Sequence, residues 1–98
     1  MALKTTRWDP AKYLKTEEDI AEYLTACLEE APEDEAFLAA ALGEVARARS
    51  IMDLAKETGI SRAGLYKALS EDGNPSFATV VKVARALGVR VAFVPARG

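Results

Sequence analysis

One stretch, Ile51 to Leu69 (IMDLAKETGISRAGLYKAL), constrains this chain more than any other. It reads as two short helices joined by a tight turn at Gly59. Leu54 and Ala55 face inward from the first helix, and Ile60 plugs the gap between the two. Ser61 caps the second helix, and Leu65 and Ala68 anchor it from beneath. That leaves Arg62, Ala63, Tyr66 and Lys67 facing outward. A helix-turn-helix that presents its second helix to a DNA major groove needs this arrangement. Gly64 lowers the stability of that helix by up to ~1 kcal/mol relative to alanine. Its missing side chain suits a place where the backbone approaches something closely.

Charge is spread unevenly along the 98 residues. Residues 1–43 carry four Lys/Arg against ten Asp/Glu, whereas residues 44–98 carry nine against five. An acidic front and a basic back suggest two surfaces with different partners. The length is that of one domain, 1–98, able to bury a modest core. Its expected parts are an N-terminal arm (1–15), N-terminal helices (16–48), the helix-turn-helix core (50–88) and a C-terminal strand (89–95).

Several function classes are disfavoured. There is no histidine, which argues against a zinc site or a histidine-based triad, and no metal or cofactor is expected. No nucleophile–base pair and no phosphate-cradling glycine loop is visible, so an enzyme is not expected. No apolar run approaches the roughly 20 residues of a membrane helix. The start, MALKTTRWDP, has no apolar signal region, and the single Cys27 excludes an internal disulfide. The expected location is therefore the cytoplasm.

The remaining segments follow from local signals. Trp8, Tyr13 and Leu14 are expected to lay the arm on the body, with a turn at Asp9-Pro10. Thr16 opens a capping-box-like TEED, and Ile20, Tyr23, Leu24, Cys27 and Leu28 share one face of a helix over 17–29. Cys27 on that face reads as an inert core thiol. Pro32 suits the first turn of the next helix, whose buried stripe would be Phe37, Leu38, Ala41, Leu42, Val45 and Ala46. Ser50 caps a helix over 51–58. Ser76 caps another over 77–87, ended by Gly88. The tail from Val89 to Val94 has strand composition, with Val89, Val91 and Phe93 on one side. A lone strand needs a partner edge, and the simplest is the same strand of a second copy. Val89, Val91 and Phe93 are thus the candidate dimerisation residues.

LAKETGISRAGLYKALSEDGNPSFATVVKVARALGV resembles the DNA-binding domain of Xre-type (lambda-repressor and Cro-like) regulators. More narrowly, WDPAKYL, AALGEVARARS, LYKALSEDGNPSFATV and ALGV resemble the small antitoxins described as addiction-module antidote (HigA-like) proteins. The resemblance covers nearly the whole chain. It implies an all-α, five-helix lambda-repressor-like domain with an arm and a short dimerising strand. It also implies a homodimer that binds double-stranded operator DNA, represses its own operon and neutralises a RelE/HigB-like toxin. The acidic front is the candidate surface for a basic toxin. Xre domains often carry a glutamine early in the first motif helix, where this chain has Ser50-Ile51-Met52-Asp53, which weakens phosphate contact from that helix.

Candidate DNA-contact residues follow from the motif. Arg62, near the start of its helix, suits a bidentate contact to guanine. Ala63 and Gly64 let the helix seat deeply, and Tyr66 and Lys67 suit the backbone. Lys56 adds a phosphate contact. Ser50, Ser61, Asn74, Ser76 and Thr79 sit at helix starts or in the adjoining loop, where hydroxyls, amides and N–H groups hold phosphates. The alternatives are a stand-alone Xre-type regulator and a helical adaptor that binds only protein. The adaptor should expose an apolar face on 62–69, and the sequence places Arg62, Tyr66 and Lys67 there.

Overall fold

A computed structural model describes residues 13–96. Five helices follow one another there: α1 (Glu17–Glu30), α2 (Glu35–Arg49), α3 (Ile51–Thr58), α4 (Arg62–Ala68) and α5 (Phe77–Ala86). No described residue is in a strand. No described helix is long and apolar enough to cross a membrane. Trp8 and most of the expected arm lie outside the described residues.

Each helix starts where a side chain can accept a backbone N–H that has no partner inside the helix. Thr16 Oγ1 accepts from the Asp19 N–H at 3.1 Å while Asp19 Oδ2 accepts from the Thr16 N–H at 3.1 Å, closing a capping box. Ser50 ends α2, its N–H donating to the Ala46 carbonyl at 3.0 Å. Its Oγ also starts α3, accepting from the Asp53 N–H at 3.2 Å. One residue therefore serves both helices, and the chain turns there without a loop. At the far end of α5, the Gly88 and Val89 N–H groups donate back to the Arg85 and Ala84 carbonyls, both at 3.0 Å.

The start of α2 differs from expectation. Pro32 and Glu33 lie in the connecting turn, and Asp34 is the cap, its Oδ1 accepting from the Phe37 N–H at 3.0 Å. A proline brings no acceptor to a helix start, whereas an aspartate does, so the boundary falls at the aspartate. Phe37, expected in the buried stripe, lies in the first turn of α2 and is exposed. The residues of α2 that are buried are Ala39, Ala41, Gly43, Val45 and Ala46.

The core draws on all five helices. Leu14, Ile20, Val45, Leu65, Leu69 and Val83 are its largest fully buried side chains, joined by Ile51, Leu54 and Leu87. α1 packs on α2, α2 on α3 and α4, and α3 on both α4 and α5. Gly43 lets α2 approach the end of α4. A Cβ there would collide with the backbone carbonyl oxygen of Leu69.

A polar tie joins the first two helices where Tyr23 donates its hydroxyl proton to Glu44 Oε1 at 2.9 Å. Burial, then the bond and charge of Glu44, push the Tyr23 phenol well above its ordinary range. Burial also pushes the Cys27 thiol up, which suits an unreactive core position. Both groups are held neutral by the fold. Their stabilisation is complete below their unfolded pKa values, about 8.5 and 10, and is lost as pH rises above them. Stability is therefore expected to decline above about pH 9. Tyr23→Phe is expected to lower stability by about 1 kcal/mol at neutral pH and to flatten the alkaline decline. Urea denaturation across that pH range measures both, and an unchanged slope in the variant would rule out the phenol as its source.

Residues 89–96 form no strand. Strand hydrogen bonds need a second edge, and the described part of a single chain offers none.

Candidate nucleic-acid interface

α4 is short, and its position is set from below and from its start. Leu65 and Leu69 are fully buried beneath it. Ser61 Oγ accepts from the Gly64 N–H at 3.0 Å. Before it, Gly59 makes the turn with φ 78°, a left-handed conformation that side chains resist, and its N–H donates to the Ala55 carbonyl at 3.0 Å. Ile60 then packs against the core from the turn. With 3.6 residues per turn, burying Leu65 and Leu69 turns positions 62, 63, 66 and 67 outward together. Arg62, Ala63, Tyr66 and Lys67 are all exposed, Tyr66 at 50%.

Gly64 has a reason inside the chain. A Cβ at 64 would press on Ile60 Cγ2 at 3.2 Å and Ser61 Oγ at 3.1 Å. Either side chain would have to give by a few tenths of an ångström to admit it.

The other candidates are spread around α4. Lys56 is exposed in the last turn of α3. Ser50 is half-buried at the opposite end of α3, about 12 Å from that turn for a helix of eight residues. Asn74 is exposed in the loop between α4 and α5. Ser76 caps α5: its Oγ accepts from the Thr79 N–H at 3.1 Å and donates to Thr79 Oγ1 at 3.1 Å. Ser61 and Ser76 thus make the same kind of cap at the starts of α4 and α5, while Thr79 is half-buried and tied to its cap. Val89 packs against the core, whereas Val91 and Phe93 are exposed, Phe93 at 90%.

On the helices the charge division is sharper than the two halves of the chain suggest. Residues 16–46, which hold α1 and most of α2, contain ten acids and no Lys or Arg. No acid lies between Glu57 and Glu71, the span that holds α4, and none follows Asp72. An anion approaching α4 meets Arg62 and Lys67 with no carboxylate on the same helix.

Fold and site together define a small all-helical protein with an exposed, acid-free short helix and a separate acidic helix pair. The family model described as "probable addiction module antidote protein" matches residues 4–95, and the chain belongs to that family. An uncharacterized protein of Haemophilus influenzae (strain Rd) is 48% identical over 83 residues, covering 85% of this chain and 84% of that protein. No solved structure matches the chain significantly.

Proposed function

We propose that this protein is the DNA-binding antitoxin of a type II toxin–antitoxin pair. In this reading α3 and α4 are a helix-turn-helix of the Xre, lambda-repressor-like kind, and α4 enters the major groove of operator DNA. The observation that carries it is the outward set Arg62, Ala63, Tyr66 and Lys67, exposed over buried Leu65 and Leu69, in a chain of the antidote family. Arg62 reads a base edge from the first turn, Lys67 and Lys56 meet phosphates, and the N-termini capped by Ser61 and Ser76 hold phosphates beside them. Ala63 and Gly64 let the helix seat deeply in the groove.

The protein acts as a homodimer, with α4 helices about 34 Å apart to reach successive major grooves. The tail, 89–95, pairs with the same segment of a second copy, which supplies an edge not found among the described residues. Val91→Pro removes a pairing N–H and is expected to leave a monomer in sedimentation. A dimer that persists would exclude tail pairing as its contact. The acidic α1–α2 layer, with no Lys or Arg from 16 to 46, suits a basic toxin of the RelE/HigB-like kind by charge complementarity.

The test is a gel shift on DNA from upstream of the protein's own gene, at two salt concentrations, with wild type and Arg62→Ala. Salt-sensitive binding that weakens in the variant is expected. Binding indifferent to both salt and Arg62 overturns the proposed readout.

A further inference from the structure

The outer side of α5 and the tail enclose an apolar groove of about 230 Å³, lined by Phe77, Val81, Val89, Val91 and Phe93. Phe77 is 65% exposed and Phe93 90%. Val89, Val91 and Phe93 alternate along the tail and share this groove, so the tail presents its apolar side to α5. Arg85 and Arg90 complete the lining, which holds no carboxylate.

The connection between α1 and α2 has the opposite charge and a second pair of exposed apolar groups. Leu28, in the last turn of α1, is 53% exposed, and Phe37 lies exposed in the first turn of α2. Both sit within one turn of the same corner. Glu29, Glu30, Glu33, Asp34 and Glu35 lie between them in the sequence, with no Lys or Arg. Of residues 28–37 all but Ala31 are exposed.

We propose that this corner of a second copy docks in the groove, with Phe37 seated among Phe77, Val81 and Phe93 and the acids facing Arg85 and Arg90. Charge selects the occupant. Two grooves placed face to face would bring four arginines together, and no acid follows Asp72 to offset them. Glu17, packed against Gly88, is an acid at one end of the groove, and the two arginines outnumber it. The corner instead brings apolar side chains flanked by carboxylates, the complement of an apolar lining edged by guanidiniums. Asp34 Oδ1 already caps α2, so Glu29, Glu30, Glu33 and Glu35 are the acids that meet the arginines. Size agrees with charge. A cavity of about 150 Å³ admits a benzene ring, so this groove takes one phenyl group and part of Leu28. Phe77 and Phe93 offer that ring aromatic partners.

A chain's own corner does not reach its own groove. Glu17 at the start of α1 lies against Gly88, and Leu28 is about 16 Å further along the helix axis. Neither Leu28 nor Phe37 lines the groove. Each copy therefore offers one corner and one groove, and the contact joins copies head to tail. It uses no residue of the outer face of α4 and rests on neither the DNA nor the toxin reading.

Sedimentation equilibrium of the purified full-length chain, over a range of concentrations, tests this. Wild type is compared with a groove variant (Arg85→Glu with Arg90→Glu), a corner variant (Glu30→Lys with Glu33→Lys) and a chain carrying all four changes. All four side chains are exposed, and far-UV circular dichroism verifies that the helices persist. The wild-type mass is expected to rise with concentration. Each single-surface variant is expected to associate about tenfold more weakly, and the chain with both charges exchanged is expected to recover. Wild type that associates no more than the variants overturns the proposal. So does weakening in the groove variant alone, which points to tail pairing, since that contact involves no residue of 28–37. A combined chain as weak as the single-surface variants also overturns it, because the losses then do not come from this pairing of charges. If a charge variant loses its helices, Phe37→Ser and Phe77→Ser take its place, and full association in either one overturns the proposal.

Discussion

Gly43→Ala is expected to lower the melting temperature by about 10 °C, although alanine is the better helix former. At an open helical site the change would gain close to 1 kcal/mol. Here the added methyl meets the carbonyl oxygen of Leu69, a backbone atom that cannot swing aside. Leu69 is held by its buried side chain and by its N–H, which donates to the Leu65 carbonyl at 2.9 Å. α2 must therefore shift away from the end of α4. Forcing an extra carbon into a packed core typically costs about 1–3 kcal/mol and sometimes more, and backbone contact belongs at the upper end. A net loss of about 2 kcal/mol gives the stated shift at about 4–8 °C per kcal/mol for a domain of this size. Gly59 is the control, because a Cβ there meets nothing within 4 Å and only the left-handed backbone resists it. Gly59→Asn should be nearly tolerated, since asparagine visits that conformation, while Gly43→Asn should be worse than Gly43→Ala. Thermal melts of the three variants decide it, and a Gly43→Ala protein as stable as wild type would exclude the collision. Because α2 fixes the end of α4, this variant should also weaken any ligand of α4's outer face, beyond its loss of stability.

The two glycines also show which parts of the fold were legible in advance. Gly59, the caps at Thr16, Ser50, Ser61 and Ser76, and the bounds of α3 are set by residues within four positions of each other. A linear reading finds such signals. Gly43 has no local sign of its role, because the atom it must avoid lies 26 positions along the chain. The Tyr23–Glu44 bond spans 21 positions and is silent for the same reason. Pro32 misled because proline and aspartate both mark helix starts, and only Asp34 brings an acceptor to the orphan N–H. The outward set on α4 follows from burying Leu65 and Leu69, so it was readable from periodicity. The nearness of Ile60 Cγ2 to position 64 was not, since it depends on where that side chain packs. The tail carries strand composition, but no second edge lies among the described residues to bond it.

Arg62 and Lys67 should fail differently when each is replaced by alanine, although both are exposed cations on one helix face. Arg62 is the first residue of α4, directly after the Ser61 cap, and the N-terminal residues of a recognition helix are those that reach base edges. Its guanidinium offers paired donors that match the two acceptors of guanine. Arg62→Ala is expected to weaken operator binding by about 1–3 kcal/mol, roughly ten- to a hundredfold, while binding to unrelated DNA falls far less. Lys67 lies five residues on, about 7.5 Å along the axis, in the last turn. Its ammonium is a point charge suited to phosphate. Lys67→Ala is expected to weaken operator and unrelated DNA alike and to reduce the salt slope by about one, with sequence preference unchanged. Competition gel shifts with operator and scrambled duplexes, each at several salt concentrations, separate the two patterns. If Arg62→Ala lowers both affinities equally, the base contact belongs to another residue of α4. If neither variant changes affinity or salt slope, this face does not meet DNA, and the adaptor reading takes its place.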